Sequence, residues 1–232
     1  MSSRAFEPRR AAPLALLVCC LGLPMSTASQ AAPSAPASDP VFSRPLDSSS
    51  RAALGDSFGK LSERPVVAGA FTLTKRVKRL GRDLVSKGDF LLSAKDGIYW
   101  DIKSPYPSTL VLTSKRIVQR SPDGEESVID AADNAVFKRI AETMQSVFSG
   151  NLGALEGEFS VYFQGDASSW RLGLVPKEKT VRDLVASIVV EGSSTVSRLS
   201  LAEGNGDVVD YRFQTARTAD GLTESERGLF VF

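Results

Sequence analysis

Beyond Pro65 the chain alternates, with apolar side chains at every second position and clusters of turn-forming residues cutting the alternation into strand-length pieces. Phe71/Leu73, Phe90/Leu92, Ile98/Trp100/Ile102 and Leu110/Leu112 each sit among smaller or more polar neighbours. Successive side chains of a strand point to opposite faces, so this period of two makes one apolar face and one wetter face. Ser86-Lys87-Gly88, Lys95-Asp96-Gly97, Ser104-Pro105-Tyr106-Pro107 and Ser121-Pro122-Asp123-Gly124 supply turn chemistry at the spacing of an antiparallel meander. The pattern resumes at Phe159/Val161/Phe163, at Trp170/Leu172/Leu174, and over residues 184–190, 196–201, 208–213 and 229–232. No crossover helices separate these runs, which argues against a parallel sheet.

Two segments carry a helical period instead. Asp47 caps a helix in which Leu54, Phe58 and Leu61 recur at i, i+4 and i+7, ending before Arg64-Pro65 and weakened by Gly55 and Gly59. Asp133 opens a second, with Phe137, Ile140, Ala141, Met144, Val147 and Phe148 on one face and Lys138, Arg139, Glu142 and Gln145 opposite, closed by Gly150. The expected class is mainly β (α+β), with roughly ten strands and two amphipathic helices. A single antiparallel sheet of that size curls, and the helices must cover its concave face. Periodicity alone leaves open whether that interior is filled core or a cavity.

The N-terminus reads as an address. Arg4, Arg9 and Arg10 precede an apolar run from Ala11 to Leu23, followed by Pro24 and small-residue sites at Ser26-Thr27-Ala28 and Ser29-Gln30-Ala31. That order is the signature of a secretory signal peptide, assigned here to residues 1–31. The run of about 13 residues falls short of the roughly 20 needed to span a bilayer. Leu16-Leu17-Val18-Cys19 fits a lipidation box poorly, because Val18 is bulky and Leu21-Gly22-Leu23 continues the apolar run past Cys19 and Cys20. Cleavage at residues 28–31 removes both cysteines, so no disulfide is expected. Residues 32–45, rich in Pro, Ala and Ser, read as a flexible leader, and residues 46–232 as one folded domain.

Charge excludes more than it suggests. With 28 Lys+Arg against 27 Asp+Glu there is no nucleic-acid footprint. The absence of histidine removes Ser-His-Asp and Cys-His catalytic sets and the commonest zinc ligand, so no metal, cofactor or catalytic residue is assigned. Glu125/Glu126, Asp130/Asp133 and Glu156/Glu158 leave a carboxylate-dependent hydrolase open, although adjacent acids in turns and helix starts are usually solvated or capping.

The segment Gly69-Ala70-Phe71-Thr72-Leu73-Thr74-Lys75 resembles the first strand of LolA-like lipoprotein carriers, G-x-F-x-Q-x-K, with Leu73 in place of Gln. The resemblance continues through Ser86-Lys87-Gly88-Asp89-Phe90-Leu91-Leu92, Gly97-Ile98-Tyr99-Trp100-Asp101-Ile102 and Pro105. It extends to Ser149-Gly150-Asn151-Leu152, Leu155, Phe159, Trp170-Arg171-Leu172-Gly173-Leu174-Val175-Pro176 and Leu229-Phe230-Val231-Phe232, so it spans nearly all of residues 66–232. It implies an incomplete antiparallel barrel of ten to eleven strands, closed by helices around an apolar cavity that takes acyl chains in the periplasm. It also implies a monomer, with an acylated lipoprotein or lipid as cargo, an inner-membrane donor and an outer-membrane acceptor. One departure is that Lys95-Asp96-Gly97 stands where the carriers proper have Arg-Pro. Together with Tyr106-Pro107-Ser108-Thr109 it looks more like a divergent LolA-related branch, so an apolar cargo is implied more firmly than a lipoprotein.

On this reading Phe58, Phe71, Phe90, Leu92, Trp100, Ile102, Leu110, Leu112, Phe137, Ile140, Met144 and Phe148 line the cavity. Lys75, Lys95 and Arg171 are rim candidates for headgroup or partner contact, with a solvated surface role as the plainer alternative. A lipid-sensing or assembly-factor module on the same half-barrel is the competing function.

Overall fold

Eleven strands form one antiparallel sheet in a computed structural model that describes residues 39–130, 142–143 and 145–231. They are β1 (Val66–Val77), β2 (Arg82–Ser93), β3 (Gly97–Ser104), β4 (Ser108–Leu112), β5 (Arg116–Arg120), β6 (Glu126–Asp130), β7 (Phe159–Asp166), β8 (Ser169–Pro176), β9 (Val185–Gly192), β10 (Val196–Glu203) and β11 (Val208–Ala219). Their order is β6-β5-β4-β3-β2-β1-β11-β10-β9-β8-β7, so β1 and β11 pair at the centre while β6 and β7 are edges. The sheet is open.

Register carries one apolar face across all eleven strands. In one wing Phe90 lies opposite Trp100 and Trp100 opposite Leu110, while Leu92, Ile98, Leu112, Ile117 and Ile129 face one another in turn. In the other wing Tyr211, Leu199, Val190, Leu172 and Phe163 do the same. Phe71 opposite Phe213 and Leu73 opposite Tyr211 join the wings. All but the partly buried Ile129 belong to a single buried cluster. The opposite face is polar in β8–β11, where ion pairs run from Asp39 to Arg171 (2.7 Å), Glu191 (3.1 Å), Arg198 (3.1 Å), Asp210 (2.6 Å) and Arg212 (3.3 Å).

Two helices cover the apolar face, while Leu222 and Phe230, on either side of a short C-terminal helix, pack with Val66 and Leu91 on the other. Helix α1 (Ser48–Ser62) starts where the Asp47 carboxylate accepts from the Ser49 and Ser50 amides at 3.0 and 2.8 Å, and the Ser50 hydroxyl accepts from the Asp47 amide at 2.9 Å. That reciprocal cap holds the Asp47 carboxyl down at about 2, chiefly through the Ser50 amide and then the Ser49 hydroxyl. Leu54, Phe58 and Leu61 are its buried stripe, as the spacing predicts. Helix α2 comprises the helical residues 142–143 and 145–149 and stops at Gly150, whose φ of 70° is one that glycine adopts without strain. Helices α3 (Leu152–Glu158), α4 (Lys179–Arg182) and α5 (Glu224–Gly228) are short. Among the described residues no helix is long and apolar enough to cross a membrane.

Four sequence expectations need correction. Ser86-Lys87-Gly88 is not a turn but the middle of β2, and the chain reverses instead at Lys78–Leu80 and Gly81, whose φ is 60°. Gly88 answers a packing need: a Cβ there would lie 2.0 Å from the Asp101 carbonyl oxygen, beside a register shift between Lys87 and Gly88. Strands β5 and β6 flank the expected turn at residues 121–124, yet the adjacent apolar pair Ile117-Val118 breaks the alternation that would reveal β5. Residues 229–230 form a turn after α5 rather than a strand, because Thr223 and Glu226 make a capping box and the run after them does not alternate. Residues 39–45, expected within the leader, pack onto the sheet: Val41 is wholly buried, and Arg44 and Leu46 hydrogen-bond to Phe163 and Val161 of edge strand β7. The start of the second expected helix, with Phe137, Ile140 and Met144, lies outside the described residues.

Candidate functional site

The nine described candidates for the interior come together. Phe58 from α1, Phe71 from β1, Phe90 and Leu92 from β2, Trp100 and Ile102 from β3, Leu110 and Leu112 from β4 and Phe148 from α2 are all buried, in one contiguous cluster. Period-two alternation places the strand members, since each occupies the inward parity that register propagates from strand to strand.

The cluster centres on residues that the candidate set omits. Phe213 of β11 touches Phe90 (ring centroids 5.1 Å apart, edge-on), Phe148 (5.5 Å, edge-on) and Tyr211 (5.9 Å, stacked). Tyr211 in turn meets Phe71 at 6.3 Å and Trp100 at 6.4 Å, while Phe58 packs on Trp170 of β8 at 6.0 Å. Their signal was present as the alternation Val209/Tyr211/Phe213, but only the pairing of β11 with β1 shows that the last long strand sits at the middle of the sheet. The ring contacts prefer offset and edge-on geometry, which gives the interior a specific shape as well as burial.

Among the described residues one polar atom inside is unsatisfied. The indole N–H of Trp100, a residue 2% exposed, has no hydrogen-bond partner among them, whereas that of Trp170 donates to the Ser193 carbonyl at 2.8 Å. An unmet buried donor costs roughly 1–3 kcal/mol.

The three rim candidates part company. Lys75 is not at a solvated rim: it is buried, with its ammonium 2.8 Å from Glu203 and 3.9 Å from Asp207 on the inner side of the sheet. Arg171 lies on the outer face, opposite in parity to Trp170 and Leu172, within the ion-pair chain. Lys95 is exposed in the β2–β3 turn, next to Ala94, whose carbonyl accepts from the Gln145 side chain of α2 at 2.6 Å.

Two features define access at the helix-covered end. A narrow opening of about 10 Å³, room for about one water, is walled by Leu61, Arg64, Val67, Phe90, Phe148 and residues 194–196. A groove of about 540 Å³ with a mixed polar lining, including Glu142, Thr143, Gln145 and Asn151, runs beside α2 and α3. The helices are locked together by close backbone approach, since a Cβ on Gly150 would lie 2.4 Å from the Phe58 carbonyl oxygen.

Among the described residues the acidic pairs do not form a sequestered acid-base site, and Asp133 of the pair Asp130/Asp133 lies outside the described residues. Glu125, Glu126 and Glu158 are exposed, Glu126 pairs with Arg120, and Glu156 pairs with Arg51 at 2.7 Å. Among the described residues no group of three or more His, Cys, Asp or Glu could hold a metal.

No curated protein matches the chain. Among solved structures it is similar to a LolA superfamily protein from Nitrosomonas europaea, at 7% identity over 76% of this chain and 96% of that one, with a TM-score of 0.42. It is also similar to the lipoprotein LppX of Mycobacterium tuberculosis, at 11% identity over 77% of this chain and 99% of that one (TM-score 0.41). A third is LprF of Mycobacterium bovis, at 11% identity over 78% of this chain and 97% of that one (TM-score 0.37). Residues 66–228, from the first residue of β1 to the end of α5, match the family described as outer membrane lipoprotein carrier protein LolA. An open sheet with an apolar face that reaches every strand, helices over that face and a match of this length together place the chain in the LolA family.

Proposed function

We propose that this protein is a periplasmic carrier that holds the acyl chains of a lipoprotein or lipid against the inner face of its sheet and moves them from the inner towards the outer membrane. The observation that carries the reading is the apolar face that reaches across eleven strands, interrupted by the buried Lys75–Glu203 pair, covered by α1 and α2 and furnished with aromatic rings from both helices and six strands. Phe58, Phe71, Phe90, Leu92, Trp100, Ile102, Leu110, Leu112 and Phe148 line the binding space together with Tyr211 and Phe213; the remaining candidates, Phe137, Ile140 and Met144, lie outside the described residues. A chain of about 16 carbons gains roughly 0.8 kcal/mol per methylene removed from water, on the order of 10 kcal/mol in all, enough for a protein to compete with a bilayer. Carrier and membrane are then nearly balanced, and partners that bind the loaded and empty states differently set the direction. The lone indole N–H of Trp100 suits an acyl carbonyl, which would satisfy it on loading. Residues 1–31 act as the export signal in this scheme.

Lipid identified by mass spectrometry in protein purified from the periplasmic fraction, and displacement of a fluorescent fatty acid by that lipid, are the expected results. Recovery of no lipid together with no fatty-acid binding would refute the carrier reading.

A further inference from the structure

We propose that the β1–β2 hairpin is a docking element for the surface of an anionic lipid bilayer. Its two strands pair as far as Val77 opposite Arg82, but β2 is joined to β3 only from Lys87 onward and β1 to β11 only up to Arg76. The tip is therefore a two-stranded ribbon left bare on its β3 side, while on the other side β11 accompanies β1 to its last residue but one and the Lys78 amide donates to the Asp207 carboxylate at 2.9 Å. At the tip and just behind it three large apolar side chains are left in solvent: Leu80 is 55% exposed in the turn, and on β2 Leu84 (41%) shares the face of Lys75 while Val85 (45%) stands on the opposite one. They make up three of the seven exposed large hydrophobics among the described residues, gathered within six positions.

Positive charge surrounds them. Arg76, Lys78, Arg79 and Arg82 stand against Asp83 alone in the ribbon. Asp83 is taken by Arg76 at 3.2 Å, while Lys78, Arg79 and Arg82 are exposed and in no ion pair among the described residues. The fold does not call for this composition. The reversal needs only the left-handed conformation of Gly81, and a polar side chain at position 80 would serve it equally well. Beside the tip, an open groove of about 730 Å³ lies between Leu80 and residues Asn205 and Asp207 of the β10–β11 turn.

Exposed aliphatic side chains bordered by unpaired cations match the two layers of a bilayer surface, anionic headgroups over an apolar interior. Long Lys and Arg stems reach up to the headgroups while the leucines enter the acyl boundary. Neither attraction is large alone, and their combination is what makes peripheral binding stable. The tip is also far from the helix-covered end: β1 begins beside Ala94, whose amide bonds to Pro65, and 12 residues of strand carry it roughly 36 Å to the hairpin. Docking therefore does not require the interior to open, and it stands apart from the carrier reading.

The test is sedimentation of the full chain with vesicles of phosphatidylcholine alone and of phosphatidylcholine with 30% phosphatidylglycerol. Any contribution of residues 1–38 is equal in all variants. Wild type should bind the anionic vesicles more tightly and lose the difference at high salt. K78Q/R79Q/R82Q should weaken that binding by about fivefold per cation removed, roughly 100-fold in total. In L80W, tryptophan emission beyond the wild-type background should shift to the blue when anionic vesicles are added. Equal partition of wild type and the triple variant, or no shift in L80W, overturns the proposal. Fatty-acid uptake without vesicles should be the same in wild type and both variants, so a failed interior and a failed hairpin give different results.

Discussion

Lys75→Met removes the ion-pair partner that Glu203, a carboxylate whose side chain is 2% exposed, has among the described residues, and should cost about 3 kcal/mol of stability. Taking one member from a buried pair costs about 3–5 kcal/mol, because the survivor stays desolvated without compensation. The lower end applies here, since the side chains of Lys75 and Asp207 keep 11% and 12% of their exposure and some solvent reaches the site. Methionine preserves the length of the buried stem, so the loss reports charge rather than volume. Glu203→Gln should be milder, at about 1 kcal/mol, because its amide oxygen still accepts from the ammonium and Asp207 still lies 3.9 Å away. The double variant K75M/E203M should recover most of the deficit, since replacing both charges by apolar groups is often neutral. With a urea dependence of about 2 kcal/mol per molar, K75M should lower the unfolding midpoint by about 1.5 M. A midpoint within 0.5 M of wild type, or a double variant as unstable as K75M, would refute the argument that the pair is a buried, coupled unit. Unchanged stability with lost lipid uptake would instead return Lys75 to headgroup contact.

Three further outcomes follow from the same geometry. Gly150→Ala forces a non-glycine residue into φ 70° and drives a methyl group to 2.4 Å from the Phe58 carbonyl, so a loss of about 2 kcal/mol and a fall of about 5 °C in Tm are expected, with an unchanged Tm counting against the helix lock. Trp100→Phe sheds an unsatisfied donor along with some ring volume, so stability should change by less than about 1 kcal/mol while affinity for a fatty acyl ester falls by up to about tenfold; undiminished affinity would remove the indole from the binding scheme. The Asp47 carboxyl is lowered from 3.8 to about 2, so its stabilising contribution to the α1 cap is complete above pH 3.8 and fades as pH falls towards 2; amide exchange in the first turn of α1 should accelerate over that interval in wild type and show no such step in Asp47→Ala.

Much of the architecture is written in local pattern. Parity alone places Phe90, Trp100 and Leu110 on one face, because a strand offers only two, and Asp47 with Leu54, Phe58 and Leu61 marks α1 because cap and stripe agree. What escaped depends on partners distant in sequence. Nothing near Lys75 foretells Glu203 across 128 residues, so a lone lysine in a strand reads as solvated. Arg171 sits between Trp170 and Leu172, and its outward direction was legible from that parity alone. Alternation marks Tyr211 and Phe213 as strand residues, but their central position follows from pairing between the first and last strands, which no local pattern encodes. Gly88 misled because glycine beside serine and lysine has turn composition, while its actual use is to let two backbones approach.

The pairing of Arg44 and Leu46 with β7 bears on how the chain can be shortened. An edge strand offers free amides and carbonyls to any other strand that drifts past, and here a few residues of the approaching chain occupy them, secured by the Asp39–Arg171 ion pair and the buried Val41. Proteolytic trimming that stops before Asp39 leaves this selvedge intact. A cut only eight residues further on would bare β7 and convert a guarded sheet into a template for its own aggregation.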